Sequence, residues 1–251
     1  YNKSFLYISC YADSAKMFQV TKRLSIVIKR KGCKDCIYMT RYIKCQNNMQ
    51  IRITANPYYP ISPKLFFDNK PPKLSSSLES NLISKLFSKS DKTIAYYQVK
   101  HSLNKIYYTR SIRNFRPFFD YAIHHLYPDG SIKEPTERKD FSVKEENHKA
   151  ITAFLNSNLA FMIFCLYTDV RNINPGLILC LPLNSNVVQD TRLIQVESKL
   201  MDDYEINKEG RYNNTNQCTE YYYFPKLSKS IIDEIDKVLA KHYGFTEMKH
   251  L

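Results

Sequence analysis

The chain contains no tryptophan and only five glycines among its 251 residues. No Gly-x-Gly pattern occurs, so the loops that bring backbone amides close to a nucleotide phosphate are excluded from this stretch. No apolar run approaches the ~20 residues of a membrane-spanning helix, and no signal peptide is visible. The longest run, Leu159 to Tyr167, suits a buried helix instead. The expected setting is the cytoplasm, with no membrane partner. Seven cysteines, odd in number and scattered, read as free thiols in a reducing compartment. Cys33-x-x-Cys36, with Cys45 downstream, invites zinc, but zinc takes four ligands and no second pair or nearby His follows. The segment reads as a tight hairpin loop, and no metal ligand is assigned. The six histidines lack metal-type spacing, and His124-His125 read as surface or turn residues. Asp202, Asp203 and Glu205 read as solvated charges on or near a helix face, and no Ser/His/Asp set stands out. No catalytic residue is assigned.

Acid is also unevenly absent. The net charge of +13 divides as +9 over residues 1–60, +6 over 61–140 and −2 over 141–251. A basic front and a near-neutral back argue that one region meets an anion while the other serves architecture. Residues 92–116 hold six basic side chains (Lys92, Lys100, Lys105, Arg110, Arg113, Arg116) and no acid, interleaved with Tyr96, Tyr97, Tyr107, Tyr108 and Phe115. Cations attract phosphates and rings stack on bases, so this mixture suits a nucleic acid. The plainer alternative is an amphipathic hairpin with a solvated basic edge. A hydrophobic fraction of 43% over this length is ample for one large or two smaller domains.

Periodicity predicts a mixed α+β chain. A short strand is expected at 4–9, and a hairpin over 24–43, with Leu24–Ile28 as a buried strand. Pro57, Pro60, Pro63, Pro71 and Pro72 make 56–73 a connector. Ser76-x-x-Glu79 is a capping box before a helix over 76–88, with Leu78, Leu82, Ile83 and Leu86 on one face. Strands around 93–99 and 105–110 would form a second hairpin with His101 and Asn104 in its loop. Irregular chain with a Pro128-Asp129-Gly130 turn is expected over 118–141. Helices follow from Glu145, over 159–167, over 191–206 (using Leu193, Val196, Leu200 and Tyr204), and from a Ser230 cap to Gly244. Leu177–Leu183 reads as a strand, 207–219 as a loop, and Tyr221–Phe224 as an aromatic strand.

Four segments, in order, resemble the carboxy-terminal part of large adenine-specific DNA methyltransferases, including single-chain type II (type IIG-like) restriction-modification enzymes of bacteria. They are SAKMFQVTKRLSIVIKR with IYMTRYI, KIYYTRSIRNFRPFFDY, ITAFLNSNLAFMIFCLYTDVRNINPGLILCLPL, and SKSIIDEIDKVLAKHYGFTEMKHL. Together they cover roughly two thirds of the chain, and the last two are the most specific. Asn56-Pro57-Tyr58-Tyr59 is similar to the Asn-Pro-Pro-Tyr loop of amino-methyltransferases but carries Tyr for the second Pro and sits in the connector. The family's usual Trp positions hold Phe here.

The resemblance implies that residues 1–55 are the edge of a methyltransferase domain, contributing the last antiparallel strand pair of its α/β sheet. After the connector (56–73), residues 74–228 would be a target-recognition domain, closed by a C-terminal helix at 229–251. The cofactor, S-adenosylmethionine, would bind in an upstream portion. With no initiating Met and an end just after a helix-like stretch, the chain is expected to be a fragment, inactive alone, whose partners are double-stranded DNA and that upstream portion. The resemblance places Phe18 where a ring stacks on the flipped target adenine, with core packing as the alternative. Lys100, His101, Asn104, Lys105, Tyr107, Arg110, Arg113, Arg116 and Arg171 are the expected DNA contacts, Arg, Asn and Gln being the favoured base readers. Asn156, Ser157, Asp169 and Arg171 match the family's Asn-Ser and Asp-x-Arg pattern; helix capping by Ser157 and an internal Asp169–Arg171 contact compete with a DNA role. The alternative function is a non-catalytic specificity subunit or another nucleic-acid-binding module, although no second recognition unit, long heptad run or RNP signature occurs.

Overall fold

A computed structural model describes residues 4–11, 24–31, 36–43, 58–67, 69–110, 115, 117–168 and 171–245. The fold is mixed α+β, and the chain forms two compact units: residues 1–85 with 163–169, and residues 86–162 with 170–251. The helix expected to close the chain falls within the second unit, and the first unit runs past the proline-rich connector to Lys85.

In the first unit, β1 (Ser4–Tyr11), β2 (Leu24–Lys31), β3 (Cys36–Ile43) and β4 (Tyr59–Ile61) form a sheet in the order β2-β1-β3-β4. The expected 24–43 hairpin is corrected by this order. β2 and β3 do not pair with each other but flank β1, β2 antiparallel to it and β3 parallel. The antiparallel pairs in this sheet are β1 with β2 and β3 with β4. Neighbouring residues Ser9 and Cys10 are both buried, so β1 is covered on both faces, as a central strand is. β2 is an edge instead, with Val27 and Ile28 more than half exposed, where the sequence reading had it buried. Part of the connector joins the sheet, since Pro60 sits opposite Tyr38 on edge strand β4, where a missing N–H does no harm. Helix α1 (Ser77–Lys89) follows its capping box: the Glu79 amide donates to Ser76 Oγ at 3.2 Å, and its carboxylate accepts from the Ser75 hydroxyl at 3.0 Å. Leu82, Ile83 and Leu86 are buried as expected, but Leu78 is exposed.

The second unit begins with β5 (Lys92–Thr93) and a single helical turn, α2 (Ile94–Tyr97), where a strand over 93–99 was expected. Ile94 and Tyr97 are both buried, and a helical turn puts residues three apart on one side whereas a strand would send them to opposite faces. Next come β6 (Lys105–Thr109), β7 (Phe118–Phe119), β8 (His125–Leu126), β9 (Ile132–Lys133) and β10 (Arg138–Ser142). β6 is the middle strand of a β10-β6-β7 sheet, so it has no hairpin partner at 93–99. The irregular segment expected over 118–141 thus carries short strands, joined by the expected turn: the Gly130 amide donates to the Tyr127 carbonyl at 3.0 Å, and Gly130 has φ 80°.

Helices α3 (His148–Leu155) and α4 (Asn158–Tyr167) match their predicted positions. The expected strand at 177–183 is mostly helix α5 (Pro175–Cys180), started by a proline at its first position, with only Pro182–Leu183 (β11) extended. Helix α6 (Thr191–Asn207) buries Leu193, Val196, Leu200 and Tyr204. Complete burial of such side chains contributes about 1.5–3 kcal/mol each. The loop expected over 207–219 contains β12 (Glu209–Asn213), paired with β13 (Cys218–Tyr222). Helix α7 (Lys229–Tyr243) starts after Ser228, two residues earlier than the Ser230 cap expected, and ends at Gly244 with φ 69°. The core gathers Tyr108, Phe118, Phe119, Phe154, Leu200, Tyr204 and Ile235. No single helix among the described residues is long and apolar enough to cross a membrane; the apolar pair ending in α3 and α4 bends by 69° at its break.

Candidate nucleic-acid interface

The acid-free stretch folds around the loop of residues 98–104. Its flanks are fixed by main-chain bonds to one segment: Val99 N–H to Ser142 O at 3.1 Å, Val143 N–H to Asn104 O at 3.1 Å, and Lys144 N–H to Tyr97 O at 3.2 Å. The Ser142 hydroxyl adds a bond to Ser102 O at 3.2 Å. Within the loop, Ser102 Oγ accepts from the Asn104 amide at 3.1 Å, so half-buried Asn104 belongs to the loop's frame. The outward residues are Gln98, Lys100, His101 and Leu103, the last 96% exposed. His101 has φ 61°, a left-handed conformation that costs a non-glycine residue about 1 kcal/mol and that the fixed flanks maintain. Lys144, exposed beside the loop, was not singled out from sequence because its proximity arises only through these long-range bonds.

Strand β6 sorts the other expected contacts. Lys105 pairs with Asp140 across the sheet at 3.3 Å. The Tyr107 ring lies 4.5 Å beneath the Arg138 guanidinium, which also pairs with Glu134 and lies 3.6 Å from Asp140. One face of Tyr107 is thereby occupied. Tyr108 is buried and stacked on Phe118 with ring centroids 5.4 Å apart, and burial pushes its hydroxyl up to about 12. Tyr97 is likewise buried, and Phe115 packs on Phe161 at 5.2 Å. Of the interleaved rings Tyr96 is the exposed one, covered on one side by Lys92 Nζ at 4.2 Å.

At the far end of β6, Arg110 is exposed and its carbonyl accepts from the Ile173 amide at 2.8 Å. That bond sets Ile173, two residues after exposed Arg171, against the end of β6. Phe18, Arg113, Arg116 and Asp169 lie outside the described residues.

Asn156 and Ser157 are fully buried. Asn156 Oδ1 accepts from the Phe118 amide (3.1 Å) and the Tyr204 hydroxyl (3.2 Å), while Nδ2 donates to Phe118 O (2.8 Å) and Thr152 O (2.9 Å). Ser157 Oγ accepts from the Ala160 amide at 3.0 Å, the capping role weighed for it. Sequence reading missed an open groove of about 480 Å³ lined by Tyr121, His124, Leu126, Ile132, Tyr221 and Tyr223 among others. Glu205 in its wall accepts from Tyr223 at 3.2 Å and pairs with Lys208; burial alone would raise this carboxyl, but the hydrogen bonds hold it below its usual value. The aromatic run at 221–223 was the available signal, though nothing local tied it to Tyr121.

No family model matches the sequence, and no curated protein matches it.

Proposed function

We propose that this chain is the sequence-recognition part of an adenine-specific DNA methyltransferase that uses S-adenosylmethionine, belonging to a restriction-modification system. The observation that carries the DNA-binding half of this reading is the arrangement along β6. A braced loop offers Lys100 and His101 with Lys144 alongside, and the opposite end offers Arg110 with Arg171. A five-residue strand spans ~17 Å, comparable with a major groove about 12 Å wide plus its flanking phosphates. Cations at both ends can therefore meet backbone phosphates, leaving the loop tip to approach base edges. The methyltransferase half rests on the family resemblance of the four segments. S-adenosylmethionine and the catalytic loop belong, in this reading, to an upstream portion. The enzyme's cytoplasmic location follows from that role.

Two measurements test it. Methylated adenines mapped in DNA treated with the full-length parent are expected at one defined sequence; no adenine methylation in any context overturns the enzymatic reading. For the 251-residue chain, duplex binding is expected to weaken when Lys100, Arg110 and Arg171 are replaced by Ala. Unchanged binding overturns the assignment of this surface to DNA.

A further inference from the structure

The second unit's four-stranded sheet, ordered β12-β13-β8-β9, holds a cluster that the DNA reading does not use. Thr219 pairs with Leu126, and the antiparallel register sets Glu220 opposite His125. Side chains alternate along a strand, so Cys218 shares the face of Glu220, and directly opposed residues share a face across the ladder. His125, Cys218 and Glu220 therefore converge. The Cys218 sulfur lies 3.8 Å from His125 Nδ1. The three ligating atoms all lie within 4.8 Å of one another.

These distances suit one small cation. A zinc ion sits about 2.0–2.1 Å from an imidazole nitrogen and about 2.3 Å from a thiolate, which at a tetrahedral angle separates those two atoms by about 3.5 Å. The Cys–His pair thus needs to close by only a few tenths of an ångström. The carboxylate is already aimed: Glu220 Oε1 accepts from Asn213 Nδ2 at 2.8 Å and Asn216 Nδ2 at 2.9 Å, and Oε2 from the Tyr222 hydroxyl at 3.1 Å. Outer hydrogen bonds of this kind orient the ligands of metal centres. Cys218 is fully buried, while His125 and Glu220 are half-exposed, which leaves an outward side for water.

We infer that His125, Cys218 and Glu220 bind a single zinc-class divalent ion, with water as the fourth ligand. One nitrogen, one sulfur and one oxygen donor favour a borderline transition metal; magnesium and calcium take oxygen ligands and would leave the sulfur unused. The ion has a mechanical role. Among the described residues the β13–β8 ladder is a single pair, so the β8–β9 and β12–β13 hairpins are weakly joined by backbone alone. An ion drawing ligands from both hairpins clips them together.

The test uses the chelator-stripped 251-residue chain, titrated with zinc against a chromophoric chelator and, separately, with cobalt. One equivalent of zinc is expected, with a rise in Tm, and cobalt is expected to give a thiolate charge-transfer band with tetrahedral d–d absorption. His125→Ala and Glu220→Gln, both at half-exposed positions, are expected to weaken zinc at least about tenfold. Cys218→Ser should abolish the cobalt charge-transfer band, while the double variant Cys33→Ser/Cys36→Ser retains it. Failure of the stripped chain to take up zinc at micromolar concentration overturns the inference. So does a charge-transfer band that survives Cys218→Ser or is lost in the Cys33/Cys36 variant.

Discussion

At the scale of single residues, two buried polar groups carry unusual weight. Asn156 satisfies four partners from three segments, so its removal leaves buried donors and acceptors unpaired at about 1–3 kcal/mol each. Asn156→Ala is expected to cost roughly 3–5 kcal/mol, with a Tm fall on the order of 10 °C in a thermal melt. A fall under a degree or two would show that the hub is replaceable. Glu197 is the opposite case, a fully buried carboxyl on α6. Burial, with the nearby Asp120 carboxylate adding to it and Lys149 opposing it, pushes its pKa from 4.5 to about 8. A carboxyl whose folded pKa is raised contributes its full stability below the unfolded value, and that contribution is lost as the pH rises through 8. Stability is therefore expected to fall from pH 5 to 9 by a few kcal/mol. Glu197→Gln, neutral throughout, should flatten the Tm-against-pH curve and melt higher than the parent at pH 9. Parallel curves for the two proteins would refute the buried-acid account.

At the scale of elements, the ends of helices decide more than their middles. Asp190 caps α6 by accepting from the Arg192 and Leu193 amides at 2.9 and 3.1 Å, and its second oxygen meets His242 Nε2 of α7 at 2.7 Å. Burial works to raise this carboxyl, yet the hydrogen bonds together hold it below its usual value. One side chain thus fixes the start of one helix against the end of another. Asp190→Ala is expected to cost about 1–2 kcal/mol, and the Tm gap from the parent should narrow as the pH drops below the ordinary carboxylate range. A gap that stays constant to pH 3 would mean that the carboxylate charge is irrelevant. The loop at 98–104 makes a related point. Its flanks are held by backbone bonds to 142–144, so the exposed side chains of Lys100, His101 and Leu103 are free to meet a ligand without holding the loop together.

At the scale of the whole molecule, charge and architecture separate. The basic excess lies in the first 140 residues, and the near-neutral remainder supplies helices α3, α6 and α7 that pack the second unit's core. Each phosphate neutralised by a cation releases condensed counterions, so each lost contact lowers the slope of log K against log salt by ~0.9. Replacing Lys100, Arg110 and Arg171 together is expected to reduce that slope by about 2–3, read from duplex titrations at several salt concentrations. A slope unchanged within error would place these cations away from the phosphates.

Sequence alone determined what is local. The 3.6-residue pattern of α6 and α7, the Ser76–Glu79 capping box, the Pro128-Asp129-Gly130 turn and the glycine stop at 244 are visible because each depends on residues within a few positions of one another. Strand partners are not local. β1 sits between β2 and β3, and β6 pairs with β10 and β7, because burial of both faces of a strand is settled by segments distant in the chain. The same reason divides the stretch at 92–116. Its composition announced cations and rings, but the fold turned Tyr97, Tyr108 and Phe115 inward, covered Tyr107 with Arg138 and paired Lys105 with Asp140. It left Lys100, His101 and Arg110 outside, and it brought His125 to Cys218 across 93 positions that no spacing rule could span. Charge and hydrophobicity are properties of residues; exposure and proximity are properties of the packed chain.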